Sequence, residues 1–225
     1  MDMPKSDAPA PLRLRRRDAL LLGVAAPWLL ACKSEPSHAR PPASGTSPPG
    51  RPPGAPSRVC AGTEASIEGP YYREGAPERA DLTERGTPGV PLEIEGRVTS
   101  IDCKTPLAGV ELDVWQADHS GHYDNDGSMP PGRVLLRGKL RTDDDGRYRV
   151  KTIVPGRYLN GRQYRPAHVH VKLRAPGHPL LTTQLYFPDD PYNEIDPFIH
   201  RSLVMNVEKR DRILLARYDF VLRPA

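Results

Sequence analysis

From residue 92 onward, apolar and polar positions alternate in short runs. "LEIEGRV" (Leu92–Val98), "GVELDVWQA" (Gly109–Ala117), "GRYRVKTI" (Gly146–Ile153), "AHVHVKL" (Ala167–Leu173), "LTTQLYF" (Leu181–Phe187) and "RYDFVL" (Arg217–Leu222) all read as strands. Between them stand turn signals, "DCKTPLAG", "DNDG", "DDDG" and "VPG", in which Gly, Pro, Asn and Asp supply the special backbone angles of a reversal. No helical period of 3.6 residues is sustained, and only Met205–Leu215 is expected to form a short helix. Short strands at regular spacing predict an all-β fold, an antiparallel β-sandwich with long loops. A strand–turn–strand pattern also serves non-catalytic sandwiches, so the pattern alone does not license an enzyme.

The alternation is absent upstream. "RLRRRDALLLGVAAPWLLACKS" has a cationic start, a thirteen-residue apolar run from Ala19 to Ala31, and then Cys32. That run is too short for a permanent membrane span and fits the apolar region of an export signal. Arg16-Arg17 followed by Asp18-Ala19-Leu20-Leu21 resembles a twin-arginine signal, and "LLAC" (Leu29–Cys32) resembles a lipobox. Residues 1–32 are thus read as a lipoprotein-type signal. The stretch from 33 to 58 is proline-rich and too poor in apolar residues to fold, so it reads as a tether, and the domain runs from 59 to 225. The expected location is outside the cytoplasm, facing the periplasm or the cell exterior, with the membrane contacted only through a lipid on Cys32.

The charge follows the same division. Residues 1–58 hold nine Lys/Arg against four Asp/Glu, whereas 59–225 hold 23 against 24. The net charge of +4 therefore belongs to the leader. A near-neutral domain lacks the basic face that phosphate binding demands, so no nucleic-acid partner is expected. Once Cys32 is set aside, Cys60 and Cys103 are left. In an oxidising compartment they either pair or stay free; sequence separation does not decide.

Candidate chemistry centres on "RPAHVHVKL" (Arg165–Leu173). Its strand pattern puts Ala167, Val169, Val171 and Leu173 on one face and His168, His170 and Lys172 on the other. Two histidines on one strand face are either a solvated edge or half of a metal site. Tyr123, in the loop after "ELDVWQA", and Tyr158, just after "RYRVKTI", stand at strand ends where loops converge on sites. Singly, each tyrosine reads as packing, as do Tyr71, Tyr72, Tyr148, Tyr164, Tyr186, Tyr192 and Tyr218, with Tyr71 and Tyr72 also candidates to line a pocket. Together the quartet carries more weight.

"EGPYY" (Glu68–Tyr72), "VWQADHSGHYDNDG" (Val114–Gly127), "LRGKLRTDDDGRYRVKTIVPGRY" (Leu136–Tyr158), "YRPAHVHVKL" (Tyr164–Leu173) and "LTTQLYFPDDPYN" (Leu181–Asn193) resemble intradiol ring-cleavage dioxygenases, most of all the protocatechuate 3,4-dioxygenase branch. The resemblance implies a mononuclear non-haem Fe(III) held in the loops of the sandwich by two tyrosinates, Tyr123 and Tyr158, and two imidazoles, His168 and His170. Phenolate oxygen suits a hard ferric ion, and a metal makes the loss of a phenol proton inexpensive. It further implies a catechol-type substrate and O₂ as partners, with a cis,cis-muconate-type diacid as product. Tyr158 would be the ligand displaced by substrate, Arg165 the cation beside the ring, and Gln184 a glutamine behind the ligands. Family members often assemble as homo-oligomers.

Two departures bear on substrate and setting. Only "LNGRQY" separates Tyr158 from Arg165, a shorter loop than catechol and protocatechuate enzymes carry, and the leader is foreign to cytoplasmic members. Arg133, Arg137, Arg157 and Arg162 are candidates for a substrate carboxylate, with solvated surface the alternative; His119 and His122, near Tyr123, are either pocket residues or, the favoured reading, without a role in the site. The competing reading is a non-catalytic, transthyretin-like binding sandwich at the cell envelope. A zinc or copper site on H-x-H alone leaves the tyrosines unexplained.

Overall fold

The computed structural model describes residues 60–225, so the export signal, the Cys32 lipobox and the proline-rich tether lie outside the described residues. Eleven strands follow in chain order: β1 Pro91–Ser100, β2 Glu111–Gln116, β3 Arg137–Arg141, β4 Arg147–Ile153, β5 Leu159–Asn160, β6 Gln163–Tyr164, β7 His168–Arg174, β8 Leu181–Tyr186, β9 Asn206–Arg210, β10 Ile213–Arg217 and β11 Phe220–Leu222. The only helical element among the described residues is a 3₁₀ turn at Arg201–Leu203. One sheet runs β3-β2-β7-β8, wholly antiparallel. In the other, β1 pairs antiparallel with β4 along one edge and parallel with β10 and then β11 along the other, while β9 closes against β10. The fold is the expected β-sandwich, with one sheet mixed rather than purely antiparallel.

The core lies between the sheets. Leu112 and Val114 of β2, with Val169, Val171 and Leu173 of β7, face Leu92, Ile94 and Val98 of β1 and Val150 of β4 in a single apolar cluster. Period-two alternation puts these residues on one side of each strand. On β4 the complementary face is open: Arg147, Arg149 and Lys151 are exposed between buried Tyr148, Val150 and Thr152. The second face of the β2–β7 sheet is instead covered by loops. There a separate aromatic cluster forms from Trp115, Ala117 and Tyr123, with Tyr71, Tyr72 and Tyr158 packed against it.

Two expectations are corrected. Met205–Leu215 contains no helix; it forms β9 and β10, joined by a tight reversal at Asp211-Arg212 with Asp211 in the left-handed region (φ 48°). The ladder that β10 makes on β1 outweighs local propensity, and a parallel partner distant in sequence leaves no local signal. The single strand expected over Arg217–Leu222 is interrupted at Tyr218-Asp219, where Gly96 of β1 lies so close to the Tyr218 carbonyl that a Cβ would collide. Cys60 and Cys103 are bridged, with Cα atoms 5.8 Å apart.

Candidate metal centre

The covered face of the β2–β7 sheet gathers all four expected ligand residues. His168 and His170 project from β7 with the apolar alternation opposite them, both buried. Tyr123 comes from the loop after β2 and is 1% exposed; Tyr158 comes from the segment after β4 and is half-buried. Two glycines let those loops meet. A side chain on Gly121 (φ 94°) would strike the Arg157 carbonyl, and one on Gly156 would strike the backbone of Gly121, whose loop is joined to Gly156 by the bond from Gly156 N to the Asp118 carbonyl (2.6 Å).

Three donor atoms converge. Tyr123 Oη lies 3.1 Å from His170 Nε2, which lies 3.2 Å from His168 Nε2. The Tyr158 ring stands 5.7 Å from both the Tyr123 ring and the His168 ring, edge-on to the first. His168 Nδ1–H donates to the Pro166 carbonyl at 2.6 Å, which fixes the tautomer and turns the Nε2 lone pair toward the other donors. Burial and the charge of Arg165 push the His168 pKa down to about 3, and burial, His168 and Arg165 push that of His170 well below its ordinary value. Both rings are therefore neutral, the form that binds a metal.

Burial and the neighbouring Tyr158 raise the Tyr123 phenol well above its ordinary pKa, so without a cation it keeps its proton. A metal at the crossing reverses that logic, because its charge is the largest in the site. The donor set fits a hard, highly charged ion. Among the described residues, no group of three or more His, Cys, Asp or Glu side chains is placed to hold a metal, so a metal here must draw on the phenols. A cation between these desolvated donors, 3.1–3.2 Å apart, would take up the lone pairs that a single phenol proton leaves unshared.

Arg165 is 3% exposed. Its Nε donates to Asp196 Oδ2 at 2.8 Å, and its Nη2 to Gln184 Oε1 at 2.9 Å and Tyr186 Oη at 3.1 Å. Burial works to strip its proton, but Asp196, Tyr186 and Tyr158 more than offset that, and the guanidinium stays charged with its pKa raised. Its Nη1 is buried with no protein partner, a donor left for another group. Gln184 is fully buried opposite His170 across the strands, and its Nε2 donates to the Ile67 carbonyl at 2.6 Å.

Several participants carried no signal of their own in the sequence. Trp115 stacks on His170 at 4.6 Å and 12°. Tyr71, which the sequence also offered as a pocket-lining residue, stacks on Tyr123 at 4.3 Å and 17° and so roofs the site. Asp196 holds Arg165, although nothing in "EIDPF" marks it. The other arginine candidates are not brought to the site as free charges. Arg137 is buried against Asp124 and cannot meet a substrate carboxylate; Arg157 pairs with Asp190 and Arg133 with Glu84, while Arg162 is exposed at the β5–β6 turn. His119 and His122 are exposed, His122 against Asp126.

Known proteins resemble this arrangement in sequence and in fold. Residues 67–224 match a family described as "Dioxygenase". The 6-chlorohydroxyquinol 1,2-dioxygenase of Cupriavidus pinatubonensis is 35% identical over 72% of this chain, and the match spans 65% of that protein. The chain thus covers just under two thirds of that relative's length. A chlorocatechol 1,2-dioxygenase of the same organism is 34% identical over 75% of this chain and 72% of its own. Among solved structures, the dioxygenase domain of a dioxygenase–carbohydrate-binding fusion from Streptomyces sp. SirexAA-E is 43% identical (TM-score 0.65), covering 73% of this chain and all of that one. The 3-chlorocatechol 1,2-dioxygenase of Rhodococcus opacus 1CP is 32% identical (TM-score 0.68), covering 75% of each chain. Family match, fold and clustered Tyr–Tyr–His–His residues agree: the chain belongs to the intradiol ring-cleavage dioxygenases.

Proposed function

We propose that this chain cleaves catechol-type rings between their hydroxyls with O₂, using Fe(III) held by Tyr123, Tyr158, His168 and His170, and that it works outside the cytoplasm on a lipid anchor at Cys32. The observation that carries the ferric reading is the placing of buried Tyr123 Oη and His168 Nε2 at 3.1 and 3.2 Å from His170 Nε2, with Tyr158 beside them. Catechol, chlorocatechol and hydroxyquinol are the substrates in the names of the relatives, and a 1,2-dihydroxybenzene is the class they share. The bound ferric ion would supply the Lewis acidity that draws electron density out of a chelated ring and readies it for O₂.

The chain's own residues account for the rest. Neutral His168 and His170 present lone pairs, and the Pro166 carbonyl keeps the first in register. Tyr158, the more exposed phenol, is the ligand suited to give way to substrate, while Tyr123, under the Tyr71 ring, stays in place. The freed Tyr158 phenol oxygen would take up a substrate proton. Arg165, immobilised by Asp196 and Gln184, would offer Nη1 to charge developing on the ring. The Trp115, Tyr71 and Tyr72 rings exclude water from behind the ligands.

Purified protein loaded with Fe(III) should be red-brown from phenolate-to-iron charge transfer and should consume one O₂ per catechol. A preparation that stays colourless and inactive after ferric reconstitution sinks the reading. Tyr158→Phe should shift the visible band; an unchanged spectrum removes Tyr158 from the ligand set. For the anchor, Cys32→Ala protein that still fractionates with membranes would overturn the lipid attachment.

A further inference from the structure

The residue after Tyr123 is a buried carboxylate that belongs to no donor set. Asp124 accepts from Arg137 Nε at 2.9 Å (Oδ2) and 3.1 Å (Oδ1), and from Arg137 Nη2 at 2.5 Å (Oδ1). Its Oδ2 accepts again from Arg73 Nη2 at 2.7 Å and from Leu135 N at 3.0 Å. The Asp124 side chain is 0% exposed and that of Arg137 is 2% exposed. A buried ion pair is a poor source of stability, since desolvation consumes most of the attraction, so its position calls for another reason.

That reason lies in what else Arg137 holds. Its Nη2 donates to the Tyr71 carbonyl at 2.9 Å and to Asn125 Oδ1 at 3.2 Å. Tyr71 is the ring stacked on Tyr123. One guanidinium therefore fixes the residue behind the Tyr123 phenol and the backbone of the ring in front of it. The fork is itself aimed under strain: Leu136, buried and not glycine, sits in the left-handed region at φ 51°, a conformation that persists only where the surroundings impose it. Planar, five-donor geometry suits this task and a lysine could not copy it.

We propose that the Asp124–Arg137 pair is a positioning device that sets where the Tyr123 phenol oxygen stands relative to His168 and His170, and so how tightly the centre holds Fe(III). This rests on the ferric reading above. Arg137→Lys and Asp124→Asn should each lower Fe(III) affinity, measured in the full chain by competition with a chelator, by about 10–100-fold, the range seen when the groups that orient metal ligands are lost. Both should also move the phenolate-to-iron band. A purely structural pair would instead lower the melting temperature and leave band position and iron affinity of the folded fraction unchanged; that result overturns the proposal. If neither variant folds, Arg73→Met removes one bond to Oδ2, and with it a bond to the Arg133 carbonyl, from a side chain 31% exposed, and should shift the band the same way by less; an unmoved band again overturns it. Wild-type protein that takes up no Fe(III) would overturn the ferric reading itself, an outcome separable from the others.

Discussion

The two sheets of this sandwich use the same alternation to opposite ends. In β4 every other residue faces water: Arg147, Arg149 and Lys151 are exposed, Arg147 pairing at the surface with Asp145 and Arg149 with Glu93 and Glu95. In β7 the corresponding positions are His168, His170 and Lys172, and all are buried. The core-facing halves of the two strands are alike. What differs is the cover, since the β2–β7 sheet is roofed by the segment bearing Tyr71 and Tyr72 and by the Tyr123 loop. A polar face that loses water must find partners or ions. Here the residues on it are suited to hold one.

The sharpest way to break the comparison is to empty the roofed face. His170→Ala should cost more Fe(III) affinity than the ~10–100-fold charged to orienting groups, and bleach the visible band. Retention of wild-type iron content, measured on purified protein, would place the metal elsewhere. On the same strand but the other face, Leu173→Ala should cost about 2–5 kcal/mol in urea unfolding while leaving the band of the folded fraction in place. A lost band with unaltered stability would mean that the two faces are not separable.

Asp113 gives a pH test of the roof. It is 1% exposed on β2, with Tyr72 Oη donating to it at 3.1 Å and Lys139 and Lys172 as its cross-strand neighbours. Burial raises its pKa above the ordinary 3.8, against the opposing pull of Tyr72, Lys139 and Arg174. The folded protein then holds this proton more firmly than the unfolded chain, so the contribution is favourable at low pH and is lost as pH rises through the folded value. Wild type should lose stability relative to Asp113→Asn between pH 4 and neutrality; a relative gain would refute the sign. Smallest of all, Arg149→Ala on the open sheet should change stability by no more than about 1 kcal/mol, less in high salt, since its partners are solvated.

The strands of the core were legible because period-two alternation is a local signal, and so was the gathering of Tyr123, Tyr158, His168 and His170 at one place, through motif likeness and strand-end position. Residues whose roles arise from contacts distant in sequence were not. Asp196 reaches Arg165 across 31 positions, and Arg137 reaches Tyr71 across 66, with no spacing rule to announce either. Arg137 is neither a substrate-carboxylate ligand nor a solvated surface charge, the two readings its sequence allows, because a buried arginine looks like either until its partner Asp124 is known. The β9–β10 hairpin failed for the same reason: the strand that stabilises it lies more than a hundred residues upstream.

The Cys60–Cys103 bridge has a topological consequence for the site. It makes residues 60–103 a covalent ring, and Gly69, Tyr71, Tyr72 and Arg73 all lie within it. Gly69 rests against His170, where an added Cβ would sit 3.4 Å from the imidazole Cε1. The cover over the histidines therefore has no free end. Exopeptidase trimming or a pull on the preceding chain arrives first at a sulfur–sulfur bond anchored in the turn after β1, and Gly69 against His170 and the Tyr71 ring on Tyr123 are shielded from both.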